Sequence, residues 1–178
     1  MNAQQATNLQ IRHATPADFE AVVRIFSGPE AIWGTFQIPF TSPEVWRRRL
    51  SEPEPGLTTL LACHEVEVAG MLGLHTHPQQ PRRRHAGYIG MAVRDDWRGK
   101  GVGTALMKEA IGLADNWLNL ARLELNVFTD NQPAIHLYQK FGFATEGTLR
   151  QFAFRAGQLV DAYAMGRLRP AIASPASP

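Results

Sequence analysis

Seven consecutive residues offer the clearest chemistry in this chain: Arg98, Gly99, Lys100, Gly101, Val102, Gly103 and Thr104. Three glycines leave the backbone uncovered by Cβ atoms, so N–H groups can approach a ligand closely. A helix starting at this point adds its positive end. The Arg98 guanidinium suits phosphate oxygens. Together these features would hold an anion, and a diphosphate fits them best. Spacing excludes two common alternatives. The phosphate loop of nucleotide hydrolases ends in Gly-Lys-Ser/Thr, whereas Lys100 is followed by Gly101. The dinucleotide fingerprint needs G-x-G-x-x-G, whereas these glycines alternate.

Other reactive side chains are scattered. His75 and His77 alternate in a strand without a third ligand nearby, so no metal is expected. Cys63, the only cysteine, sits in LLACHE and reads as a buried strand thiol. The net charge of +2 gives no global field for nucleic acid. Its basic clusters, Arg47 to Arg49 and Arg82 to Arg84, read first as solvated faces.

The scaffold follows from periodicity. Leu9 to Ala14 alternates as a strand. Thr15 and Pro16 then open a helix with Phe19, Val22, Val23 and Phe26 on one face, ended by Gly28-Pro29. Glu30 to Phe40 is aromatic and glycine-broken, a short helix running into a loop. Ser42-Pro43 restarts a helix. Leu57 to His64 and Val68 to His75 form a hairpin, and Ala86 to Val93 is an interior strand. The helix Gly101 to Asn119 carries Leu106, Ala110, Leu113, Ala114 and Trp117 on one face. Arg122 to Phe128 is a strand. Asp130 or Asn131 caps a helix with Ala134, Leu137, Tyr138 and Phe141 on one face. Two last strands run at about Phe143 to Phe154 and Leu159 to Arg167. This order predicts one mixed α/β domain. With 178 residues, 44% apolar, the chain can bury a substantial core. No apolar run approaches the about 18–20 residues of a membrane span. MNAQQATNLQ lacks a secretory pattern, so a cytoplasmic protein is expected.

R-x-x-G-x-G after a strand ending MAV, followed by NVFTDNQPAIHLYQKFGF, resembles the GNAT superfamily of acyl-CoA-dependent N-acyltransferases. The resemblance covers about Leu9 to Leu168. It implies the GNAT fold: a mixed, mostly antiparallel sheet of about seven strands, with a central splayed strand pair and flanking helices. It also implies a domain at 9–168, an arm at 1–8 and a flexible tail at 169–178. FATEGTLRQFAFRAGQLVDAYAMGRL, with PRRRH and DNWL, is similar to the subgroup that acetylates free amino acids, including phosphinothricin-type and L-amino-acid N-acetyltransferases.

The resemblance assigns roles residue by residue. Acetyl-CoA is the expected cosubstrate, with no metal. The backbone of Met91, Ala92 and Val93 would pair with its pantetheine arm, and Arg98 to Thr104 would hold its pyrophosphate. Asn131 would contact the arm or serve as a plain helix cap. Tyr138 matches the general acid, since a phenol is protonated at neutral pH and can donate to a leaving thiolate. Relatives carry a strand-borne base where this chain has Gly87 and Ile89, which leaves Glu30, His75, His85, Tyr88 or water. Trp33, Phe36, Gln37 and Phe40 would line the acceptor site, with an arginine of Arg82 to Arg84 meeting a carboxylate. The expected substrate is a small amine, and a homodimer is common among relatives. Protein N-terminal or lysine acetylation, and a non-catalytic coenzyme sensor, are the competing readings.

Overall fold

The computed structural model describes residues 8–169, so the arm at 1–8 and the tail at 169–178 lie, but for one residue each, outside the described residues. Alternating side chains at the N-terminus give β1 (Leu9–His13). A 3-10 turn at Pro16–Asp18 leads into α1 (Phe19–Phe26), followed by α2 (Pro29–Gly34) and α3 (Pro43–Ser51). Then come β2 (Leu57–His64), β3 (Glu67–Thr76) and β4 (Ala86–Val93). The second half is α4 (Val102–Asn116), β5 (Arg122–Phe128), α5 (Gln132–Lys140), β6 (Ala144–Arg155) and β7 (Gln158–Leu168).

All seven strands join one sheet in the order β1-β2-β3-β4-β5-β7-β6. Each neighbouring pair is antiparallel except β4 and β5. That parallel pair is matched only at Ala86–Arg122, Gly87–Leu123 and Tyr88–Glu124. Beyond Tyr88 the two strands part, and the middle of the sheet opens. This is the mixed, mostly antiparallel sheet with a central splayed pair that the sequence led us to expect.

The two faces of the sheet have different covers. Ile89 and Met91 of β4 pack with α4 and α5 in the larger core, which also holds Leu106, Ile135 and Tyr138. Side chains alternate along a strand, so Tyr88, Gly90 and Ala92 face the other way. Ala92 packs there with Val22 and Ile25 of α1 and with Trp46 of α3. The basic run on α3 lies against aromatic rings: Arg47 stacks 4.4 Å from Phe19 and Arg49 4.9 Å from Trp46.

Several boundaries differ from expectation. The buried face of α1 is Ala21, Val22 and Ile25, because Phe19, Val23 and Phe26 sit at its margin, Phe26 stacked 4.4 Å from Trp46. Gly28-Pro29 does more than end α1: Gly28 caps α2 and Pro29 is its first residue, where a missing N–H costs nothing. Helix α4 stops at Asn116, so Trp117 falls beyond it and is 82% exposed instead of completing the apolar face. Phe143 is buried but precedes β6.

Candidate active site

The glycine turn begins where β4 ends. A 3-10 turn at Asp95–Trp97 buries Trp97 and delivers the chain to Arg98. Gly101 then caps α4 with φ of 83°, a left-handed value that glycine adopts without steric cost. The first turn of α4 leaves backbone N–H groups without intrahelical partners, directed at the end of the opening between β4 and β5. Gly103 permits close packing: a Cβ there would come 2.9 Å from Leu137 Cδ2 of α5.

The turn also organises α2. The Asp95 carboxylate accepts from Glu30 N at 3.0 Å and Ala31 N at 3.2 Å. Gly28 makes the approach possible, since a Cβ there would stand 2.4 Å from Asp95 Oδ2. Arg98 Nη1 then meets Glu30 Oε2 at 2.9 Å. Both side chains of that ion pair are substantially exposed, so it is worth at most about 1 kcal/mol and yields readily to a more highly charged group. Asp95→Ala is expected to cost about 1 kcal/mol through the lost cap. In a domain of this size that appears as a fall in Tm of about 2–4 °C. An unchanged Tm in calorimetry would show that α2 does not depend on Asp95.

Helix α5 forms the opposite bank. Asn131 caps it, its Oδ1 accepting from Ala134 N at 3.3 Å. Its Nδ2 faces α2, where a Cβ on Gly34 would lie 3.2 Å away. The plain-cap reading of Asn131 therefore holds, and the amide still offers a donor. About two helical turns after Asn131, Tyr138 is buried with its ring 6.0 Å from Phe143. Burial pushes its phenol up to about 12, with a smaller contribution from nearby Tyr88.

A cavity of about 560 Å³ joins these parts through the opening in the sheet. It is lined by Met91, Ala92 and Val93, by Arg98, Gly99, Gly101, Val102, Gly103 and Thr104, and by Asn131 and Tyr138. Of the expected acceptor residues, Glu30, Phe36 and Tyr88 also line it.

The remaining expected residues do not. Lys100 turns back over the Trp97 ring, 5.2 Å from its centroid. Trp33 is 48% exposed and lies under Arg155, 3.9 Å from its ring. Gln37 is outside the lining, its backbone N–H donating to Thr35 Oγ1. Phe40 is fully exposed. His85 precedes β4, six residues and about 20 Å from Met91 at strand rise. His75 lies beside the Tyr88 ring, 6.4 Å away, and burial lowers its pKa below the usual histidine value. Arg83 is held by Glu124 at 2.6 Å and Arg84 by Pro78 O, which draws that cluster away from the cavity. Among the described residues no group of three or more potential metal ligands occurs. Cys63 is buried against the α1 face, and burial pushes its thiol up.

Gly90, Asn126, Phe128 and Phe152 also line the cavity, and none of them was expected at the acceptor site. Asn126 and Phe128 alternate with core residues Leu125 and Val127, so they face away from α4. Phe36 meets Phe128 edge-on at 5.7 Å and Phe152 at 5.6 Å, making one aromatic wall. Alternation in β5 could have flagged Phe128. Nothing local marks Phe152, which lies in the irregularity between Leu149 and Ala153 where β6 shifts its register on β7. Arg155 clamps the wall from behind, over the Phe128 ring and bonded to Trp33 O and Asp130.

Residues 26–143 match the model of the Acetyltransferase (GNAT) family. The chain belongs to the GNAT acetyltransferase family. It is 43% identical over 163 residues to the L-amino acid N-acetyltransferase AaaT of Escherichia coli K12, covering 92% of this chain and 99% of that protein. A GNAT acetyltransferase of Streptococcus pneumoniae superposes with a TM-score of 0.74 at 32% identity, covering 90% of this chain and 98% of that one. A crystal structure assigned as a phosphinothricin N-acetyltransferase superposes with a TM-score of 0.80 at 28% identity, with the same coverage. The GNAT protein is an acetyl-CoA-dependent N-acetyltransferase. The turn suits that cosubstrate on its own geometry, because uncovered amides and Arg98 face one end of a cavity whose other end is apolar.

Proposed function

We propose that this GNAT acetyltransferase acetylates the α-amine of a small amino-acid-type acceptor by direct transfer. The acceptor is an apolar L-amino acid such as Phe or Met, or an analogue such as phosphinothricin or methionine sulfoximine. One observation carries the reading: the opening between β4 and β5 joins a face bearing the glycine turn and Tyr138 to a face bearing the Phe36–Phe128–Phe152 wall. The likeness to AaaT over 92% of the chain supports the acceptor class.

Acetyl-CoA supplies an acetyl group activated as a thioester. The turn from Arg98 to Thr104 would hold its pyrophosphate through backbone N–H groups and the Arg98 guanidinium, which exchanges Glu30 for phosphate. The backbone of Met91, Ala92 and Val93, freed from β5 by the splay, would bind the pantetheine arm, with the Asn131 amide beside it. Tyr138 keeps its proton on Oη at any physiological pH and would donate it to the departing sulfur. Direct transfer agrees with the place of Cys63, the only thiol, on β2, two strands away from β4. Gly87 and Ile89 on β4 carry no titrating group, and burial pushes the Tyr88 phenol up so that it keeps its own proton; the acceptor amine must reach the site unprotonated or lose its proton to Glu30 or water.

The decisive measurement is thiol release from acetyl-CoA across the twenty amino acids, phosphinothricin, methionine sulfoximine, polyamines and short peptides. We expect apolar amino acids and the two analogues to give the highest kcat/KM. Turnover confined to peptides or polyamines would overturn the acceptor class.

A further inference from the structure

Gly90 stands in the interior of β4, a central strand, where a glycine weakens the sheet. Other glycines of the sheet are accounted for by their neighbours. A Cβ on Gly70 would come 2.8 Å from Val102 Cγ1, on Gly87 2.9 Å from Leu120 Cδ1, and on Gly166 2.4 Å from Glu146 Oε1. Gly147 falls at a register shift in the edge strand β6. A Cβ on Gly90 would meet nothing within 4 Å, and its backbone is not in the left-handed region. Neither packing nor backbone geometry asks for glycine there.

What adjoins Gly90 is the cavity. Gly90 lines it and is the one exposed residue of β4. Directly opposite on β3 stands Gly73. A Cβ on Gly73 would stand 3.3 Å from His75 Nε2 and from Leu57 Cδ1, so the bare patch is at Gly90 itself, bordered along the strands by the His75–Tyr88 pair on one side and the Met71–Ala92 pair on the other. Alternation puts this patch on the face away from the glycine turn and Tyr138. The coenzyme-binding groups and the bare patch therefore lie on opposite sides of the opening, and the aromatic wall lies on the patch side.

We infer that Gly90 determines acceptor size: the space above it receives the acceptor's side chain while the amine points through the opening between β4 and β5. This rests on the amino-acid reading above. Tyr88 and the aromatic wall give that space apolar sides, and the missing Cβ gives it depth. A Cβ at position 90 meets no protein atom within 4 Å, so it removes room only from the ligand.

Gly90→Ala and Gly90→Val test this, with kcat/KM measured for Ala, Met and Phe beside the unaltered protein, acetyl-CoA affinity by calorimetry, and Tm. The expected result is a Phe-to-Ala and Met-to-Ala preference lowered about tenfold or more in Gly90→Val. Gly90→Ala should be intermediate, and acetyl-CoA affinity and Tm should be held. An unchanged preference in folded variants overturns the inference and leaves the amino-acid reading standing. So does an equal loss for all three acceptors, which would put the amine, not the side chain, over Gly90. An unaltered protein that acetylates no amino acid overturns both. Should Gly90→Val fail to fold, the Gly90→Ala preference decides alone.

Discussion

Tyr138→Phe is expected to lower kcat by about 10²–10⁴-fold, the range that a positioned proton donor contributes. Acetyl-CoA affinity should stay within about twofold. The substitution removes one oxygen and keeps the ring against Phe143, so α5 and the larger core are preserved. The pH profile gives an independent check. An ordinary tyrosine titrates near 10, and burial raises Tyr138 to about 12. The phenol is therefore fully protonated through neutral and moderately alkaline pH. Loss of the acid form begins only as pH climbs toward the folded value. From pH 7 to about 10, kcat should show no falling limb that belongs to Tyr138. A limb centred near 10 that vanishes in Tyr138→Phe would mean that the phenol is not desolvated in the working enzyme. Unchanged kcat in the variant would remove it from the mechanism.

Gly101→Val is expected to raise the KM for acetyl-CoA at least about tenfold. Gly101 holds a φ of 83° at the start of α4, a conformation that is a genuine outlier for a β-branched residue and costs about 1–2 kcal/mol. The turn relieves that strain by rotating away from its native path, which takes N–H groups off the line of the pyrophosphate. A hydrogen bond to a charged group contributes about 1.5–3 kcal/mol, and each 1.4 kcal/mol is about tenfold in affinity. The change should fall on acetyl-CoA binding more than on the acceptor, whose proposed wall stands on the other face of the sheet. Equal effects on both KM values would place the disturbance in the whole domain, and a Tm scan would then report it.

The sequence was informative where local rules act alone. The apolar run of β4, the alternation along β5, the helix cap at Asn131 and the three glycines from Gly99 to Gly103 are written in neighbouring residues. With the segment from Asn126 to Phe143 they sufficed for the family, the sheet and the coenzyme end of the site. The one register needed there is short, because the turn, the strand before it and the helix after it are contiguous.

The acceptor end was less legible, because it is built from contacts between distant segments. Phe128 and Phe152 are brought together by the pairing of β5 with β7 and β7 with β6, and Phe36 reaches them from the segment after α2, far earlier in the chain. Trp33 and Gln37 lie in the same aromatic stretch as Phe36, yet the short helix α2, capped by Asp95, turns them elsewhere. His85 and the arginines before β4 belong to the closed end of the strand pair, at strand-length distance from the opening. Sequence by itself determined the strand, the glycine turn and the helix that bears Tyr138, since each is specified by residues close along the chain. Only the tertiary structure decided where β4 and β5 part, which face of Gly90 is bare and which aromatics surround it. Those features depend on where one strand stops pairing with another, and on side chains brought together across more than a hundred residues.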